Sequence, residues 1–167
     1  MNPKSAETLI SAVSRGLSTN PSIEILHKSP NFIVVNKPFD LIINSDDPDR
    51  QSAFKILQDT HPELIAPKLK HGFYVLHRLD YATSGILVVP LTKKSVQKAS
   101  KSLQNGTVTK YYLAILRGHC QEDEYNVTSS IGTDSRTDLK MVLSDSEFCV
   151  KPRNAETLIS VISRGLY

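Results

Sequence analysis

The chain has 167 residues, of which 40% are hydrophobic and 22% are charged. This length and composition suit one folded domain with a real core and argue against a disordered chain. No apolar run approaches the length of a membrane span or of a secretory signal core, so neither is predicted. The net charge of +3 is compatible with RNA binding but does not indicate it alone.

The first predicted elements lie before residue 70. Residues 22–44 are predicted to form a strand, a tight turn and a second strand, because residues 32–36 are apolar and β-rich and turn residues follow them. Residues 53–57 follow a polar loop and carry apolar side chains three positions apart, which predicts a helix. An irregular connector is expected at residues 61–67.

The segment from residue 72 to residue 91 holds the most informative feature of the sequence. Residues 72–76 are predicted to form a strand, and the unbroken apolar run at residues 86–91 predicts a buried strand. Between them, residues 77–85 read H-R-L-D-Y-A-T-S-G. Asp80 is therefore expected on a connection between two strands, where a rigid scaffold can hold a reactive group. Taken alone, Arg78 and Asp80 would be interpreted as a surface ion pair at a turn, worth about 0–1 kcal/mol.

A helix is predicted next, at residues 93–104, because its apolar side chains share one face and Asn105-Gly106 provides a helix stop. This predicted helix contains four lysines in a stretch of nine residues: Lys93, Lys94, Lys98 and Lys101. These lysines predict either a solvated helix face or a surface that contacts phosphates.

The remaining sequence is predicted to be rich in strands. Residues 108–118 are expected to form a strand, whose alternation places Lys110 and Tyr112 on one face. Tyr112 alone would be interpreted as a half-buried strand aromatic. Residues 121–154 are polar and rich in turns, and residues 155–161 are expected to begin a further strand.

Three of these segments together resemble the RluA-type pseudouridine synthases. The run H-R-L-D-x-x-T-S-G at residues 77–85 is similar to the catalytic motif of that family. Residues 34–38, V-V-N-K-P, resemble its opening strand, and residues 110–118 match its pattern K-x-Y-x-A-x-x-x-G. Residues 131–142 also resemble the family's hairpin that follows this pattern.

The resemblance implies an α/β (α+β) fold, with a mixed, largely antiparallel sheet flanked by helices and Asp80 on a loop at a cleft. It implies two regions: residues 1–21 as an N-terminal extension, and residues 22–167 as a partial catalytic domain, incomplete at its C-terminus. The activity that it implies is the isomerisation of specific uridines to pseudouridine in structured RNA.

The resemblance also implies the roles of individual residues. Asp80 is the expected catalytic carboxylate, and its action as nucleophile or as base stays open. Arg78 is expected to favour the charged form of Asp80 and to hold the place that a flipped uridine vacates. Tyr112 is expected to stack on the flipped base or to assist proton removal. The expected RNA-binding residues are His77, Arg78, Lys93, Lys94, Lys98 and Lys110.

The expected partner is RNA, through a uridine of tRNA, rRNA or mRNA. We expect no metal and no cofactor, because the sequence has no Gly-rich phosphate loop and no His/Cys ligand set. Cys120 and Cys149 are predicted to be free thiols in a reducing compartment. The protein is expected to be a monomer without a membrane partner. An intracellular location is expected, in the cytoplasm first, with the nucleus and the mitochondrion open.

The sequence departs from the family pattern in one motif. The family continues into a third motif, G-R-x-H-Q-hydrophobic-R, whose arginine lies against the catalytic aspartate. No Arg-x-His-Gln occurs in the 167 residues. The resemblance therefore covers residues 22–166, and this chain is expected to be less active than a longer form.

An internal repeat is the second departure. Residues 6–17, A-E-T-L-I-S-A-V-S-R-G-L, recur at residues 155–166 with two aliphatic substitutions. A single repeated unit at this spacing does not indicate a solenoid. Two interpretations are open: an assembly artefact, or an N-terminal copy that can take the same strand position as the C-terminal copy.

Two other functions compete with the isomerase. The first is a catalytically incomplete RNA-binding or regulatory fragment, which the missing third motif would favour. The second is a glycoside hydrolase that uses Asp80. Glycoside hydrolysis requires paired carboxylates, and no second acidic residue lies in a comparable motif.

Overall fold

The computed structural model describes residues 22–137 and 140–165. The chain divides into two compact units, residues 1–110 and residues 111–167. The N-terminal copy of the repeat lies outside the described residues. None of the helices in the described ranges is both long enough and apolar enough to cross a membrane.

The first unit contains a three-stranded antiparallel sheet. Its strands are β1 (Glu24–Lys28), β2 (Phe32–Lys37) and β3 (Gly85–Pro90), in the order β1-β2-β3. Every second side chain of β2 is buried, as expected for a strand with one face on the core. The strands predicted at residues 32–36 and 86–91 are therefore confirmed.

Within residues 22–110, the first unit also contains two helices and a short 3₁₀ turn. Helix α1 (Ala53–Thr60) is capped by Ser52, whose hydroxyl accepts the Lys55 N–H, and a 3₁₀ turn (Pro62–Leu64) follows it. Helix α2 (Lys93–Gln104) begins after Thr92 and ends at Asn105, as predicted.

The core of the first unit lies between α1, the sheet and the segments that connect them. Phe54 of α1 and Phe73 pack with ring centroids 5.2 Å apart. The buried apolar cluster consists of Ile33, Val35, Leu41, Ile43, Ala53, Phe54, Ile56, Leu57, Phe73, Leu79, Leu87 and Val89.

The second unit contains another three-stranded antiparallel sheet, in the order β5-β4-β6. Its strands are β4 (Glu124–Asp134), β5 (Met141–Leu143) and β6 (Cys149–Ser160). Gly132 pairs with Val142, which confirms the predicted hairpin. The strand expected near residue 155 is also confirmed, and it begins earlier, at Cys149.

The α+β class is confirmed. In the described residues the strands form two separate sheets instead of one, and both are antiparallel. Residues 41–43 do not form a second strand; they make one isolated bridge, from Ile42 to Ser52, while Leu41 and Ile43 enter the core. The apolar pattern here reflects core packing rather than a sheet.

The strands predicted at residues 72–76 and 108–118 are wrong, since neither segment pairs with a strand in the described ranges. Phe73 is buried in the core, which explains the apolar character of the first segment. The second segment is exposed, with Tyr111 at 91% and Ile115 at 88%. A high β-propensity needs a partner strand before it produces a strand.

Candidate active site

Asp80 lies on an irregular segment that leads into β3. Its side chain is exposed, whereas the preceding residue, Leu79, is buried in the core. The Asp80 carbonyl accepts the Thr83 N–H at 3.1 Å, which closes a turn directly after the carboxylate. Gly85, the first residue of β3, has a φ of +124°, a conformation that disfavours any side chain. The loop therefore presents Asp80 to solvent while its ends are fixed.

His77 attaches this loop to the sheet. Its Nε2 accepts the N–H of Val88 in β3 at 3.0 Å. Burial of the imidazole lowers the pKa of His77 and the charge of Lys110 lowers it further, while a hydrogen bond at the Arg78 backbone acts in the opposite direction. His77 is therefore neutral near pH 7, and its Nε2 is occupied by the hydrogen bond from Val88. A contact of His77 with RNA stays a prediction.

Lys37, at the end of β2, is fully buried and was missed as a site residue. Its ammonium group donates to the carbonyl oxygens of Leu41 at 2.7 Å, Pro38 at 2.8 Å and Tyr81 at 3.4 Å. These acceptors match the three donors of an ammonium group. Since Tyr81 follows Asp80, Lys37 joins the end of β2 to the candidate catalytic loop.

The ammonium group of Lys37 also interacts electrostatically with the carboxylate of Asp80. Burial lowers the pKa of Lys37, whereas the carboxylates of Asp40 and Asp80 act to raise it. The N–H of Leu41 also donates to the Tyr81 carbonyl, at 3.2 Å. The signal for Lys37 was present in the sequence, because it continues the buried positions Ile33 and Val35 at a spacing of two.

The other predicted site residues are exposed positions of the two units. Arg78, two positions before Asp80, is exposed, and Tyr112, 64% exposed, belongs to the second unit. Lys94 and Lys98 are exposed on α2, where with Lys101 they follow a spacing of four and three and share one helix face. The other two predicted RNA-binding lysines, Lys93 and Lys110, are also exposed.

The first unit also contains an open groove of about 590 Å³, lined by residues 28–30, residues 63–66 and Leu91. Asp80 is not among its lining residues, so the cleft position of Asp80 stays a prediction. Within residues 22–137 and 140–165, no group of three His, Cys, Asp or Glu side chains could hold a metal ion. Cys120 and Cys149 are free, as predicted.

Similarity to known proteins identifies the class to which this loop belongs. A family model described as RNA pseudouridylate synthase matches residues 31–165. The solved structure of "Human RNA Pseudouridylate Synthase Domain Containing 1" superposes with a TM-score of 0.67 at 31% identity, over 87% of this chain and 55% of that chain. The chain therefore belongs to the RNA pseudouridylate synthase family.

The resemblance to RluA-type members is confirmed by individual relatives. The chain is 37% identical over 150 residues to "RNA pseudouridylate synthase domain-containing protein 1" of Mus musculus, covering 87% of this chain and 49% of that protein. It is 31% identical over 110 residues to "Dual-specificity RNA pseudouridine synthase RluA" of Pasteurella multocida, covering 65% of this chain and 47% of that protein. The chain thus spans about half the length of the curated relatives that it matches.

Proposed function

We propose that this chain carries the catalytic aspartate of an RNA pseudouridine synthase and isomerises uridine to pseudouridine in structured RNA. In that reaction the bond from C1′ of the ribose to N1 of uracil breaks, and a bond from C1′ to C5 forms. The proton on C5 is lost and N1 carries a proton in the product, so no redox partner is required. The observation that carries the proposal is the exposed Asp80 carboxylate on a loop fixed by Leu79, His77 and Lys37.

Asp80 is the group proposed to react with the uridine. An ionised carboxylate can attack the sugar or the base, or remove a proton, and each of these routes requires a fixed position relative to the substrate. Lys37 and the turn closed by Thr83 support such a position, because both contact the backbone of residues 80–81.

The other predicted residues have proposed roles in binding RNA. A uridine within a stem must leave the base stack before it can react, and unstacking costs a few kcal/mol. We propose that the Arg78 side chain fills the space that the flipped uridine vacates. We propose that Tyr112 stacks on the flipped base or assists proton removal. The exposed lysines of α2, with Lys110 and His77, are proposed to contact backbone phosphates of a tRNA, rRNA or mRNA inside the cell.

The test uses the full chain and a structured RNA that contains carbon-5-tritiated uridine. Asp80→Asn keeps the size of the side chain and removes its charge, so tritium release should fall by more than about 10³-fold, beyond the loss of a single transition-state hydrogen bond. RNA affinity in a filter-binding assay should change little, because phosphate contacts dominate it. Asp59→Asn is the matched control: this exposed carboxylate at the end of α1 should leave tritium release unchanged.

Two results would overturn the proposal. One is equal tritium release from the wild-type chain and Asp80→Asn, which would exclude Asp80 as the reacting group. The other is RNA binding by the wild-type chain without any tritium release, which would leave a binding function in place of an enzyme.

A further inference from the structure

In its described part, residues 22–110, the first unit exposes two aromatic side chains. Phe39 is 36% exposed and Tyr81 is 51% exposed. The other phenylalanine and tyrosine side chains in these residues are buried or half-buried: Phe32, Phe54, Phe73 and Tyr74. Neither exposed ring has a role in the proposed reaction of Asp80, although one of them directly follows this residue in the chain.

The backbones that carry the two rings meet at the buried ammonium group of Lys37. This group donates to the carbonyl of Pro38, the residue before Phe39, at 2.8 Å. It also donates to the carbonyl of Tyr81 at 3.4 Å, so the two carbonyl oxygens are no further apart than the sum of these distances. The N–H of Leu41 donates to the Tyr81 carbonyl as well, at 3.2 Å. The two rings therefore project from neighbouring parts of the backbone.

The turn that carries Phe39 is ordered on both sides of this residue. Pro38 has a fixed φ, and the Leu41 carbonyl accepts from the Lys37 ammonium group at 2.7 Å. Between them, Asp40 has a φ of +54°, in the left-handed region that aspartate adopts more readily than most residues. A ring on an ordered turn loses little conformational freedom when a ligand stacks on it. Phe39 is therefore preorganised for stacking.

The charges beside the rings indicate which part of an RNA they contact. Asp40 directly follows Phe39, and Asp80 directly precedes Tyr81. Both carboxylates are exposed, and both act on the ammonium group of Lys37. Negative charges repel a phosphate, whereas they do not repel a neutral base. A nucleobase is therefore a better ligand for these rings than the sugar-phosphate backbone.

We propose that Phe39 and Tyr81 stack on the unpaired bases on either side of the reacting uridine, so that the chain selects a uridine in a single-stranded loop. This inference rests on the proposed function, from which it takes the RNA, and it adds the class of substrate. Unstacked bases of RNA loops stack on aromatic side chains, and one such stack strengthens binding by about 5- to 100-fold. Because Tyr81 adjoins Asp80, a base on its ring lies beside the uridine at the carboxylate.

Abasic RNAs test the stacking by affinity alone, without any need for turnover. The full chain is titrated into a fluorescein-labelled RNA hairpin with one uridine in its loop, and anisotropy gives the Kd. Two further hairpins lack the base on the 5′ side or on the 3′ side of that uridine. With the wild-type chain, each missing base should weaken binding by about 5- to 100-fold.

The variants Tyr81→Leu and Phe39→Leu assign each base to a ring. Each variant should bind the intact hairpin about 5- to 100-fold more weakly than wild type. Tyr81→Leu should then be insensitive, within about twofold, to the loss of one of the two bases, and Phe39→Leu to the loss of the other, because a stack is lost only once. The abasic hairpins also test the wild-type chain directly, so a variant that fails to fold does not prevent the test.

Three controls separate stacking from other effects. Tyr81→Phe keeps the ring and should bind the intact hairpin within about twofold of wild type. Leu26→Ala removes a side chain that is 45% exposed on β1, at the edge of the sheet opposite β3, and it should stay sensitive to both missing bases. An RNA duplex without unpaired bases should bind wild type and Tyr81→Leu equally well.

Either of two results would refute the stacking. One is wild-type binding that is unchanged when either neighbouring base is removed. The other is a folded Tyr81→Leu or Phe39→Leu variant that remains as sensitive as wild type to both missing bases. The proposed isomerase fails in a different way: base-dependent binding without tritium release from the wild-type chain would refute the isomerase and support the stacking.

Discussion

The two units of this chain use different interactions to stay folded. In its described part, residues 22–110, the first unit buries twelve apolar side chains between a sheet and a helix, and the second presents large apolar side chains such as Ile115 and Leu158 to solvent. The sheet of the second unit is held in the described residues by its backbone ladder and by polar contacts, among them the Asp134–Arg136 pair. The Asp80 loop belongs to the unit with the core, and Tyr112 belongs to the other. The candidate catalytic aspartate therefore lies next to apolar packing, whereas the candidate tyrosine lies in an exposed segment.

The largest effect that tests this comparison is the loss of an apolar side chain. Phe54→Ala removes a fully buried ring from the first core and should lower the free energy of unfolding by about 3–5 kcal/mol. Leu158→Ala removes an exposed side chain of β6 and should change it by less than about 0.5 kcal/mol. Urea unfolding measures both, and hydrogen exchange assigns each loss to a unit. Similar losses in the two variants would contradict the difference between the units.

Lys37→Met tests whether the first core also positions the loop. The substitution keeps the length of the side chain and removes three hydrogen bonds from its ammonium group, at a cost of about 1.5–3 kcal/mol in stability. Loss of the bond to Tyr81 should also displace Asp80, and a shift of about 1 Å lowers turnover by about 10²-fold. Urea unfolding and tritium release measure the two effects.

Lys55→Met is the control for this prediction. Lys55 is an exposed lysine of α1 whose ammonium group also donates to a backbone carbonyl, that of Pro48. The Lys55→Met variant should keep nearly the wild-type free energy of unfolding and the full wild-type turnover. If Lys37→Met lost stability but retained full turnover, Lys37 would have only a structural role.

The smallest predicted effects are differences in pH dependence. In the first unit, burial lowers the pKa of His77. As the pH falls through 6.5, the histidine is therefore protonated in the unfolded chain before it is protonated in the folded chain. The free energy of unfolding consequently decreases as the pH falls below 6.5. In the second unit, Arg136 lowers the pKa of Asp134 from 3.8 to about 2. The contribution of ionised Asp134 to the free energy of unfolding is complete above pH 3.8 and is lost as the pH falls to about 2. Hydrogen exchange of peptides from each unit, between pH 7 and 2, measures both changes.

Two substitutions separate these effects. His77→Asn should remove the change near pH 6.5 from the first unit, whereas His119→Asn, at an exposed position, should leave it in place. Arg136→Gln should remove the protection of the second unit between pH 3.8 and 2. The same pH profile in wild type and Arg136→Gln would show that the ion pair does not support this sheet.

The sequence predicts best the parts whose signals are local. Helix α2 has the predicted bounds because its apolar face and its stop at Asn105 lie within one short window. Strand β2 alternates, and β3 is a continuous apolar run. The predictions at residues 72–76 and 108–118 failed because the existence of a strand depends on a distant partner, which local propensity does not supply. Family motifs carried the assignment of Asp80, but the role of Lys37 depends on carbonyls up to 44 residues away.

Asp80 comes directly after a leucine whose side chain is packed in the core. The backbone at residue 80 therefore loses its conformational freedom when the first unit folds, before the proposed RNA substrate binds. A catalytic group on a mobile loop would have to be ordered at each binding event, which weakens binding. The hydrophobic effect that holds Leu79 in place thus preorganises, one peptide bond away, the carboxylate of the proposed reaction.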